Sequence, residues 1–266
     1  MMTGKEASRI KRWFTGFVRK YESGDADLRR NMILKEEHTL RVCREAAMIS
    51  RQLGLSDSDS RLAYVIALTH DVGRFEQYSR YRTFADPKSE NHARLSLRIL
   101  RRHRVFDDLD EETRTIIRRA ILYHNRPHVP ERNSARVLFF SRLLRDADKL
   151  DIWKVVLDYY TAPESRKNHA VSIGIPDLPG VTPGVLADLR AHRIVNSKNI
   201  RTLTDFKLLQ MGWVFDLNYQ PTFKAVHRRR YVEKLREVLP AGEEIEEVYR
   251  VVSSYLRSGC QHKMPE

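Results

Sequence analysis

Apolar side chains in this 266-residue chain recur every three to four positions along most of its length, and strand-like alternation is scarce. That period belongs to helices that bury one face, since a half-buried strand alternates with period two. The pattern predicts an all-α protein. Ala7, Ile10, Phe14, Phe17 and Tyr21 mark one face of a first helix. Val42, Ala46, Ile49 and Leu53 mark a second, with Gly54 as its stop. Residues 60 to 70 predict a third, mostly apolar helix, closed by Gly73. Ser89 is the expected N-cap of a fourth, with Leu95, Ile99 and Leu100 facing inward. Residues 111 to 124 predict a fifth, ended by Pro127 and Pro130, and residues 134 to 160 a long sixth.

Residues 161 to 182 are richer in Pro and Gly and read as a long connection or lid. Helical pattern then resumes to about residue 257, with breaks near Asn218 and Pro240. The expected organisation is a helical core over 1–160, followed by a connection and C-terminal helical extension over 161–266 that packs onto it as one globule. No apolar run approaches the length of a membrane span, and the first 30 residues lack a signal-peptide stretch. Cys43 and Cys260 give neither a disulfide framework nor a zinc spacing; Cys43 lies on an apolar face and is expected to be a core thiol. A cytoplasmic protein is the simplest reading. The net charge of +13 favours anionic partners such as phosphates or nucleotides. Only "HRRR" (227 to 230) is a dense basic run, and no recognised motif supports nucleic-acid binding.

One stretch resists this bland picture. In "ALTHDVGRF" a His and an Asp stand side by side at the end of an apolar run. Two ionisable neighbours are costly in a core unless something compensates for lost hydration, and a metal ion would do so. Further residues of the right chemistry lie on or near apolar faces. His38 is one turn before Val42, His92 opens the fourth helix, His124 ends the fifth, and Asp148 lies within the sixth. Neutral imidazole suits Fe, Mn, Zn or Ni, and carboxylate adds compensating charge. Asp71 has two oxygens and can bridge two ions. The lack of Cys ligands argues against a structural zinc site.

"THDVGRF", with a His about 30 residues upstream and "ADKLD" downstream, resembles the HD-domain superfamily of metal-dependent phosphohydrolases over roughly residues 30 to 160. The resemblance implies an HD-domain helical bundle. It implies that His38, His70, Asp71 and Asp148 bind a first metal. His92 and His124 match the positions that hold a second in dinuclear members, together with the other oxygen of Asp71. The expected cofactors are two divalent transition-metal ions, Fe or Mn first, with Ni, Co and Zn also fitting. In the branch that cleaves cyclic dinucleotides the fifth position is a His-His pair, and the branch carries a "GYP" signature. Here Asn125 follows His124 and that signature is missing, which argues against that branch.

The implied activity is hydrolysis of a nucleotide or other phosphate ester by a bridging hydroxide, with Asp71, Arg74 and Lys149 in the catalytic machinery. Arg74 is three residues after Asp71, where the family often has a cation, so a phosphate contact is implied. Arg126, His128 and Lys149 adjoin ligand positions and are further substrate-binding candidates. His103 and His169 lack positional support and read as surface or loop residues. Two other readings share the ligand set: an HD-type mixed-valent di-iron oxygenase, and a non-catalytic module that senses a nucleotide.

Overall fold

The computed structural model describes residues 1–261, and every regular element among them is helical. In chain order these are α1 (Gly4–Val18), α2 (Ala26–Gln52), α3 (Asp57–Thr69), α4 (Val72–Tyr81), α5 (His92–Arg102), α6 (Glu111–Tyr123), α7 (Ala135–Thr161), α8 (Pro183–Arg190), α9 (Leu203–Gly212), α10 (Gln220–Arg228), α11 (Tyr231–Glu237) and α12 (Glu243–Gln261). The chain divides into two compact units, Met1–Asp151 and the residues from Ile152 on, and the division falls inside α7. Among the described residues no helix is long and apolar enough to cross a membrane.

Polar residues explain where the helices of the first unit begin. Asp25 accepts from the Leu28 N–H at 2.8 Å, Ser56 from Asp59 at 3.2 Å, and Asp110 from Thr113 at 2.8 Å. Each satisfies one of the unpaired N–H groups of a first turn, a contribution of about 1 kcal/mol. The cap of α5 is Asn91, which accepts from the Arg94 N–H at 3.0 Å. This corrects the expectation for Ser89, whose hydroxyl donates to the Ala85 carbonyl at 2.9 Å and accepts from Gln77 at 2.8 Å. Gly54 does end α2, at φ +68°. Its N–H bonds Arg51 O at 3.2 Å and that of Leu55 bonds Ser50 O at 3.0 Å, the paired bonds of a Schellman end.

Gly73 does not close a helix. It lies inside α4, an element the sequence pattern did not separate from its surroundings. A Cβ on Gly73 would lie 2.4 Å from His92 O and 2.7 Å from Ser96 N, so glycine is what lets α4 approach the start of α5. The Gly73 N–H also donates to Ser96 Oγ at 2.8 Å. The interruption after α3 falls at Asp71, with φ −110° and ψ 16°.

The centre of the first unit is α3, which is buried nearly all round from Leu62 to Thr69, apart from Tyr64, and packs against α1, α2 and α6. Around it α4 packs on α2 and α5, and α5 on α6. Phe14 and Phe17 meet the Phe75 ring edge-on at 6.3 and 6.1 Å. Within this unit α7 buries Val137, Phe140, Leu144 and Ala147, a helical stripe that continues into Asp151. Full burial of each large apolar side chain is worth roughly 1.5–3 kcal/mol.

In the second unit Trp153 is fully buried, donates from Nε1 to Gln210 O at 2.9 Å, and meets the rings of Trp213 and Tyr231. Residues 162–182 hold one 3-10 turn, Glu164–Arg166, and otherwise turns and irregular chain. The expected breaks near Asn218 and Pro240 fall between α9 and α10 and between α11 and α12.

Candidate metal centre

The end of α3 explains how two ionisable neighbours sit in a core. His70 is its C-cap residue and is fully buried. The last carbonyls of a helix lack intrahelical partners. The His70 ring fills that need itself, with Nδ1 donating to Ala67 O at 2.7 Å. A carbonyl only accepts, so the proton is on Nδ1 and Nε2 carries the lone pair. His124, the C-cap residue of α6, repeats the device: its Nδ1 donates to Ile121 O at 2.7 Å. The other two rings are oriented by carboxylates. His38 Nδ1 lies 2.7 Å from Asp151 Oδ2, and His92 Nδ1 lies 2.8 Å from both oxygens of Asp86. All four histidines therefore present Nε2, the arrangement found when a second partner fixes the tautomer of a ligand.

These Nε2 atoms converge on Asp71, whose two oxygens face different pairs. Oδ2 lies 3.7 Å from His38 and 3.8 Å from His70. Oδ1 lies 3.6 Å from His92 and 3.8 Å from His124. Asp148 lies nearest the first pair, with Oδ1 at 3.2 Å from His38 and 3.7 Å from His70, and it also groups with His70 and His124. All six predicted ligands are thus brought together. The groups His38–His70–Asp71, His70–His124–Asp148 and Asp71–His92–His124 each have donor atoms within 4.8 Å of one another.

The set fits divalent ions on three observations. Buried Nε2 of His70, Oδ1 of Asp71 and Oδ1 of Asp148 have no hydrogen-bond partner, and all three point into the cluster. The Nε2 atoms of His92 and His124 are 3.0 Å apart with both Nδ1 protons committed elsewhere, so two lone pairs face each other. Two nitrogens bound at about 2.1 Å to one ion, at a right angle, would have about that separation. Third, the carboxylates are ionised. Burial alone would raise Asp71, yet the charges of Lys35 and Arg74 hold it well below the usual range. Burial is likewise outweighed at Asp148, with His38 Nε2 3.2 Å away. Burial and then Arg74 push His92 down to about 3, so it is a neutral donor.

Several contributors lie outside the predicted set. Asp151, which orients His38, accepts from Arg41 Nε at 2.6 Å. Its signal was available, since it lies one turn beyond Asp148 on the same helix. Lys35 Nζ lies 3.2 Å from Asp71 Oδ2 and 5.0 Å from the Phe84 ring centroid. It is one turn before His38, again a legible spacing. Asp86, Gln77 and Asn125 carry no such signal. Buried Arg145 donates to the carbonyls of Tyr123 and His124, each at 3.1 Å, and so ties the end of α6 to α7.

The substrate candidates are spread more widely. Arg74 Nε is 3.5 Å from Asp71 Oδ1. Its Nη1 donates to Phe84 O at 2.6 Å, Gln77 Oε1 at 2.9 Å and Asp86 Oδ1 at 3.2 Å, so that nitrogen braces the centre. Lys149 is buried beside Asp148. Arg126 lies over the Tyr123 ring at 5.2 Å, and His128 is exposed on the turn after α6. His103 and His169 are away from the cluster: His103 packs on the rings of Trp13 and Phe17, and His169 contacts Glu164 and Tyr159.

Four histidines and two aspartates gathered in an all-helical unit define a class, the helical proteins with a His/Asp cluster that could hold metal. The comparison with known families is more specific: residues 36–153 match the family model of the HD domain. HD domains belong to a superfamily of metal-dependent phosphohydrolases. No curated protein and no solved structure matches the chain.

Proposed function

We propose that the protein is a metal-dependent phosphohydrolase that acts on a nucleotide or other phosphate ester through a dinuclear centre. The observation that carries this is the division of Asp71: one oxygen faces His38 and His70, the other faces His92 and His124. His38, His70, Asp148 and Asp71 Oδ2 would hold one ion, and His92, His124 and Asp71 Oδ1 the other. Two such ions supply an activated water and neutralise charge on the attacking and leaving oxygens. The chain's own cations add to this. Lys35 and Arg74 flank Asp71 and raise the positive potential where an anionic ester would bind. Lys149, Arg126 and His128 are the candidates for contacts farther along the substrate. Asp71, His70 and His92 are buried, which limits water around the reacting atoms.

The deciding assay is an anaerobic screen of phosphomonoesters, phosphodiesters and nucleotides with Mn²⁺ or Fe²⁺. Phosphate release or diester cleavage is the expected result. Silence in that screen, with O₂ uptake on an organic or phosphonate substrate and a mixed-valent iron signal, would replace hydrolysis by a di-iron oxygenase. Nucleotide binding with no turnover under any of these conditions would leave a sensing module.

A further inference from the structure

We propose that Asp86 is the positioning residue of the His92 half of the centre: one carboxylate both aims the His92 ring and gathers the three chain segments that surround it. The proposal rests on the two-ion reading above. Asp86 lies outside any α-helix, in the connection between α4 and α5, and its side chain collects donors from every side. Its Oδ1 accepts from Arg74 Nη1 at 3.2 Å and from Gln77 Nε2 at 3.0 Å, both on α4. Its Oδ2 accepts from Asn125 Nδ2 at 3.2 Å, on the turn after α6, and from Asn91 Nδ2 at 3.4 Å, the cap of α5. Between them, both oxygens lie 2.8 Å from His92 Nδ1.

Three consequences follow from this geometry. The Nδ1 proton of His92 has an ionised acceptor, so Nε2 is left as the donor that faces Asp71 Oδ1. Gln77 is fully buried and divides its amide between Asp86, Ser89 and the Glu90 carbonyl, so the segment that carries Asp86 is itself held. And both oxygens are lined by N–H donors. An amide in place of the carboxylate would therefore turn its NH₂ toward donors whichever way it flipped. Asp86→Asn is thus a sharp probe, close to isosteric but wrong in hydrogen bonding on either side.

The first measurement needs no variant. Imidazole ¹⁵N shifts of the metal-free wild type report which His92 nitrogen is protonated; Nδ1–H is expected, and an Nε2–H tautomer would overturn the proposal. The second is a Mn²⁺ titration followed by elemental analysis and electron paramagnetic resonance. Wild type is expected to take two ions. Asp86→Asn should keep the tighter site unchanged and weaken the other roughly 10–100-fold, the usual effect of losing such a partner. His92 in that variant should lose its single tautomer, a change that a general loss of packing would not single out. Two ions in wild type with an unchanged second affinity in Asp86→Asn would overturn this proposal alone. A single ion in wild type would overturn the dinuclear reading, and this proposal with it.

Discussion

The His38–His70 half of the centre and the His92–His124 half are assembled from matching parts. Each has one histidine at a helix end, bonded to a carbonyl three residues back. Each has one histidine bonded to a carboxylate, and each carboxylate meets an arginine, Asp151 with Arg41 and Asp86 with Arg74. They differ in a single donor, because Asp148 lies nearest the first pair. Four protein donors make a nearly closed site and three an open one. The first half should therefore hold its ion more tightly, and the second should be where water and substrate exchange. The scaffolds differ in the same sense. His38 and Asp148 lie within 27-residue helices, whereas His92 opens α5 and His124 follows α6, next to irregular chain.

The largest effect should come from the residue the halves share. Asp71→Ala removes a donor from both, and is expected to abolish metal binding and turnover while circular dichroism retains the helical signal. Full metal content in that variant would break the bridging assignment. Next come the halves taken separately. His92→Ala and His124→Ala should each leave about one ion per chain, and His38→Ala or Asp148→Ala should instead weaken the tighter site. Elemental analysis after gel filtration distinguishes these; the same loss from all four would mean that the halves are not independent.

Asp151→Asn is a subtler test, expected to lower first-half affinity roughly 10–100-fold without touching the second. Acidity separates the halves further. Burial and Lys35 would lower His38, but contacts with Asp148 and Asp151 outweigh them and raise it above its ordinary 6.5. A metal entering the first half must displace that proton, so affinity there should fall about tenfold per unit as pH drops below the raised pKa. His92, held at about 3 by burial and Arg74, carries no proton to displace above about pH 4. Calorimetry in buffers of different ionisation enthalpy counts the protons released. The smallest effect is on stability. Gly73→Ala should cost about 1–3 kcal/mol through the clash with His92 O, and lower Tm by a few degrees. Because the clash pushes on α5, second-half affinity should fall in the same variant. An unchanged Tm would mean that α4 and α5 separate freely.

The candidate ligands were legible because a helix translates spacing into direction. His38 and Val42 share a face, as do His124 and Ile121, and the His70–Asp71 pair stands out against the buried run before it. Lys35 and Asp151 obey the same spacing and were readable by it, although surface charges at such spacings are common. Ser89 is a cap that the sequence alone permits, because any of several polar residues ahead of a helix can serve, and only the backbone decides that Asn91 does. Gly73 read as a stop because glycine often ends helices, while its actual role is contact with a helix some twenty residues later.

The sequence by itself determined the all-helical fold, the six donors and their order, since period and residue type are local properties. Only the tertiary structure decided how the donors divide. That Asp71 turns one oxygen to each histidine pair, that Asp148 lies nearest one half, and that Asp86 lies against His92 depend on how α3, α4, α5, α6 and α7 pack. Such pairings join residues up to 113 positions apart, and no local pattern encodes a distance across a core.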